Sequence, residues 1–80
     1  MYAIIFYGDQ NMQVKGVYNT HKEGLDAIRT LVAGVVGYQS WEELKDNKSF
    51  FKYADHNLKM DAGVVIDVEE DEWCVQLLKI

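Results

Sequence analysis

The sequence predicts an α+β domain: a four-stranded antiparallel sheet with helices on one face, in the order strand, strand, helix, helix, strand, strand. Three observations predict it. Two stretches near residue 1 and two near residue 80 are rich in β-branched and aromatic residues and are joined by short polar links. Between these pairs stand two helix-start signals, Thr20-His21-Lys22-Glu23 and Ser40-Trp41-Glu42-Glu43. The composition, 80 residues with 49% apolar, 26% charged and no proline, suits one globular domain over residues 1–80 and fits neither disorder nor a fibrous chain.

Each element has its own justification. Tyr2 to Tyr7 is apolar at both odd and even positions, as expected of a strand inside a sheet. Gly8, Asp9 and Asn11 are turn formers, after which Met12, Val14, Gly16 and Tyr18 alternate with Gln13, Lys15 and Val17, predicting a half-buried second strand and a hairpin. In the first capping box the Thr20 hydroxyl and the Glu23 carboxylate satisfy free amides at a helix start. Leu25, Ile28, Leu31, Val32, Val35 and Val36 then recur at helical spacing until Gly37, suited to a left-handed residue after the last turn. Trp41, Leu44 and Phe51 share a face of the second helix. Asn47 and Ser49 favour local side-chain bonds that would split this segment into a short helix and a turn through Phe50, Phe51 and Tyr53. Val64, Val65, Ile66 and Val68 return to strand character, as does Trp73 to Ile80 after the polar link Glu69 to Glu72, giving a second hairpin.

Charge narrows the classes of function. Eight basic against 13 acidic residues give a net charge of −5. Residues 1–40 hold three of each sign and residues 41–80 hold five basic and ten acidic, so all of the imbalance lies in the second half. Such a surface repels phosphates, which argues against direct binding of DNA or RNA. The single cysteine, Cys74, forms no intramolecular disulfide and fits a reducing compartment. With no targeting signal and no apolar run of membrane-spanning length, a cytoplasmic location without membrane contact is expected.

No catalytic set is grouped by sequence, and no enzyme activity or cofactor is expected. His21, His56 and Cys74 fall on three different segments, and no nucleophile sits in a recognisable elbow. His21 reads as a solvated first-turn residue, His56 as a loop residue and Cys74 as a small hydrophobe in a strand. Metal-ligand spacings are absent, and the glycines at 34 and 37 follow a helix instead of leading into one, so no phosphate loop is expected. The acidic tract Asp67, Glu69, Glu70, Asp71 and Glu72 lacks the turn glycine that calcium loops interleave with carboxylates. It reads as a solvated hairpin tip or as an electrostatic contact with a basic surface.

The run Val17-Tyr18-Asn19-Thr20-His21-Lys22-Glu23-Gly24-Leu25-Asp26-Ala27-Ile28 resembles a pattern of short phage and mobile-element proteins, in which a hairpin leads into a helix through a T-x-x-E box. That class includes inhibitors of host defence nucleases, among them anti-CRISPR proteins. The resemblance covers about a third of the chain and carries no site residue. It implies a small inhibitor, which with the charge asymmetry yields the functional expectation: a protein-binding module that inhibits or regulates a nucleic-acid-binding partner. Asp67, Glu69, Glu70, Asp71 and Glu72 would meet the basic surface of that partner, and Tyr53 or Phe50 would anchor the contact. Since strand one is apolar on both faces and helices cover one, some of Ala3, Ile5 and Tyr7 are expected to join Val17 in a partly exposed patch. The alternative expectation is a homo-oligomer, such as a homodimer, built through that patch.

Overall fold

A computed structural model describes residues 1–8 and 10–80; Asp9, expected in the first turn, lies outside the described residues. The elements run β1 (Tyr2–Tyr7), β2 (Met12–Tyr18), α1 (His21–Val36), α2 (Trp41–Asn47), α3 (Phe50–Lys59), β3 (Val64–Val68) and β4 (Asp71–Lys79). The four strands form one sheet in the order β2-β1-β4-β3, antiparallel throughout. The predicted α+β architecture holds. Its one addition is α3, where the turn expected through Phe50 and Tyr53 is instead a helix of 10 residues that also carries His56. The chain does break at Lys48 and Ser49. Phe51, Ala54 and Leu58 then follow at spacings of three and four and are buried, so a new apolar stripe restarts the helix.

Both capping boxes close as their sequences require. The Glu23 amide donates to Thr20 Oγ1 at 3.2 Å, and the Glu43 amide donates to Ser40 Oγ at 3.1 Å. Each cap contributes about 1 kcal/mol. At the other end of α1, Gly37 has φ of 105°, a conformation that glycine adopts without a Cβ penalty. The Tyr38 amide donates back to the Ala33 carbonyl at 2.8 Å, completing the chain reversal.

Alternation in β1 sets the two sheet faces. Ile4 and Phe6 join Val75 and Leu77 of β4, Val64 and Ile66 of β3, and the buried sides of the three helices in one core. Ala3, Ile5 and Tyr7 point to the opposite face, which none of these helices covers. In β2 the predicted alternation fails at one place. Ile4 lies opposite Gly16 and Ile5 opposite Val14, so Lys15 is an extra, bulged residue. The bulge reverses the phase of the strand: Met12 and Val14 share the open face with Val17, while Gln13 lies opposite the core-facing Phe6.

Three helices are tied together by one carboxylate. Asp55 Oδ1 on α3 accepts from Arg29 Nε on α1 at 2.8 Å and from Trp41 Nε1 on α2 at 2.9 Å, and Lys59 Nζ lies 3.5 Å from its Oδ2. A second polar link joins the helix layer to the sheet. His21 Nε2 is hydrogen-bonded to Asp61 Oδ1 at 3.0 Å, and the Asp61 carbonyl accepts from Gln76 Nε2 at 2.8 Å. His21 also packs edge-on against Tyr2, with centroids 5.1 Å apart, so it is a half-buried structural residue and not the solvated one its position suggests.

Candidate protein-binding surface

The open face of the sheet is apolar and covered by none of the helices. Tyr7, Met12, Val14, Val17, Val65 and Leu78 are all exposed on it, drawn from all four strands. Ala3 and Ile5 lie between them at 3% and 5% exposure, screened by their cross-strand neighbours: Val17 and Leu78 flank Ala3, and Val14 and Gln76 flank Ile5. The expected patch is therefore present, and it is larger than expected. Tyr7 and Val17 belong to it, Ala3 and Ile5 are its floor, and Met12, Val14, Val65 and Leu78 enlarge it. The bulge hid Met12 and Val14 from a simple count of alternate positions. Val65 was legible: it is the outward residue of a strand whose neighbours Val64 and Ile66 are buried.

At one end of this face the second hairpin carries the acidic residues, and the structure divides them. Asp67 lies directly opposite Glu72 on the open face. Like charges in that relation repel. Glu69 and Glu70 form the two-residue turn, both left-handed, with φ of 50° and 74°. Asp71 is paired with Val68 and, with Glu69, lines a cleft of 240 Å³ on the helix side that also holds Lys15 and Trp73. Among the described residues, the four ion pairs involve Asp55, Asp61 and Glu42, and none involves a carboxylate of the tip.

Between the acidic end and the apolar face lies a shallow depression of 320 Å³ lined by Tyr7, Gly8, Val65, Glu72, Trp73 and Cys74. It joins an apolar floor to a carboxylate wall. Cys74 is half-buried there, on the strand position opposite both Tyr7 and Val65. No group of three or more His, Cys, Asp or Glu side chains among the described residues is arranged to hold a metal ion.

The expected aromatic anchors separate. Phe50 is 46% exposed and lines a cleft of 250 Å³ with Val36, Lys48, Phe51, Val65, Ile66 and Asp67, so the structure brings it beside one of the acidic residues. Tyr53, 77% exposed, lies on the solvent side of α3 away from that cleft. Trp41 and Phe51 are core residues in edge contact, with centroids 5.9 Å apart. No helix in the described residues is long and apolar enough to cross a membrane.

No protein family, curated protein or solved structure matches this chain. The fold and the surface chemistry alone bear on its function.

Proposed function

We propose that this protein is a non-enzymatic binding module that docks on another protein through the open face of its sheet. The acidic hairpin end would meet a basic patch of the partner. The observation that carries this reading is the continuity of six exposed apolar side chains with the opposed carboxylates Asp67 and Glu72, on a face that bears no Lys, Arg or His among the described residues. Burying the apolar residues drives association, and a cationic partner relieves the repulsion between the two carboxylates. Basic patches of that kind are what nucleic-acid-binding surfaces present, so a regulator or inhibitor of such a protein is the partner class this surface fits. A second copy meeting this face with its own would bring no cation to Asp67 or Glu72, which favours a different protein as the occupant.

The test is retention of partners from host lysate by the intact protein, by Asp67→Lys/Glu72→Lys and by Val17→Asp, washed at low and high salt. The reading expects a nucleic-acid-binding protein held by the intact form, lost with either variant, and released as the Debye length falls from about 10 Å at 0.1 M to about 3 Å at 1 M salt. Equal retention by all three proteins would sink it. Ile5→Asp is unsuitable as a probe of this face, because Ile5 is buried and a charge there would unfold the sheet.

A further inference from the structure

We infer that the free edge of β3 pairs with the same edge of a second copy, joining two sheets into one of eight strands. This edge adjoins the open face, with which it shares Val65 and Asp67, but the inference does not depend on the reading of that face.

The sheet has two edges, and they are protected unequally. The β2 edge carries Lys15 in a bulge, and both a lysine and a bulge discourage another strand from pairing there. The β3 edge has no bulge in its pairing with β4, no lysine and no proline; its residues are Val64, Val65, Ile66, Asp67 and Val68. Paired on one side only, it presents backbone donors and acceptors along its other side. Beside it runs the 250 Å³ cleft in which Phe50 is half-exposed among Val36, Phe51 and Ile66, with Lys48, from the link between α2 and α3, also lining it.

The strand is self-complementary about its centre. An antiparallel pairing that matches all five residues sets Ile66 on Ile66, Val64 on Val68 and Val65 on Asp67, so inward residues meet inward ones and no carboxylate lies directly opposite another, the two Asp67 side chains being diagonal neighbours. It also sends the two Glu69–Glu70 turns to opposite ends of the seam, roughly 17 Å apart for five residues at about 3.4 Å each. A parallel pairing would set both acidic turns side by side. The charge pattern therefore selects the antiparallel arrangement, which is also the one a two-fold axis generates.

Area sets the strength. An edge of five residues, roughly 17 Å long at about 3.4 Å per residue, is short beside what the ~800 Å² per partner of a standard interface needs, so the pair is weak and reversible. Sedimentation equilibrium from about 10 μM to about 1 mM is the measurement. The intact chain should pass from monomer towards dimer over that range. Val65→Asp places a carboxylate opposite Asp67 at two symmetric points and should weaken the dimer about tenfold; Val65→Lys places a cation there and should tighten it about tenfold. Adding Asp67→Lys to Val65→Lys should abolish that gain. Val65 is 55% exposed, so each variant keeps its core, and circular dichroism checks this. A single monomer mass up to 1 mM would overturn the proposal. So would a dimer indifferent to both substitutions at Val65, or one dispersed by Val17→Asp alone, which would place self-association on the open face.

Discussion

Asp55 illustrates how one side chain can hold three helices in register. Its burial raises the pKa, but the Trp41 N–H bond and the charge and hydrogen bond of Arg29 outweigh that and hold the carboxyl below its ordinary value of 3.8. Folding therefore favours the ionised form. The stabilisation is present in full above pH 3.8 and is lost as the pH falls below it through the depressed folded value. Asp55→Ala should cost about 2 kcal/mol at neutral pH, since it leaves the half-buried Arg29 guanidinium and the Trp41 indole N–H without their partner. Urea midpoints measured from pH 6 to pH 2.5 provide the check, and Asp55→Asn should flatten the acid end of that curve. An unchanged acid slope in Asp55→Asn would show that other carboxylates govern it.

Among the elements, the β3–β4 hairpin is built against its own turn preference. A two-residue turn with positive φ at both positions favours Asn-Gly, and this chain places Glu69 and Glu70 there. Glu69→Asn/Glu70→Gly should stabilise the fold by about 1–2 kcal/mol, read as a higher urea midpoint at constant m-value. The same contrast marks which features the sequence makes legible. Local signals were readable: Thr20 and Ser40 with their glutamates, Gly37, and the stripe from Leu25 to Val36 specify α1 and the start of α2 through contacts within four residues. Long-range pairings were not. The bulge at Lys15 arises from the register with Ile4 and Ile5, and no residue of β2 announces it. The bond between His21 and Asp61 spans 40 positions. Helix α3 was obscured because Asn47 and Ser49 signal a break, and its stripe of Phe51, Ala54 and Leu58 is too short to stand out against it. Of the site, the acidic hairpin was visible as composition, whereas its division between two faces depends on strand register.

For the whole molecule, charge works against compactness at one end. Asp67, Glu69, Glu70, Asp71 and Glu72 repel one another without a cation within ion-pair distance among the described residues, and the molecule carries −5 overall. Raising NaCl from about 10 mM to about 150 mM should therefore raise the melting temperature, as the Debye length shortens from ~30 Å to ~8 Å. Replacing the five acidic residues by Asn or Gln should remove most of that salt response; an undiminished response would place the repulsion elsewhere. The centre of the sheet has a different consequence. β1 pairs with β4 from Tyr2 opposite Lys79 to Tyr7 opposite Cys74, so the two middle strands are the most distant in sequence. Helix α1 and the first hairpin rest on local contacts, but β1 has no inner neighbour until residues 71–79 join it. Joining β1 to β4 closes a loop of roughly seventy residues, the kind of long-range pairing that slows folding. Until that closure, one long edge of apolar β1 stays unpaired.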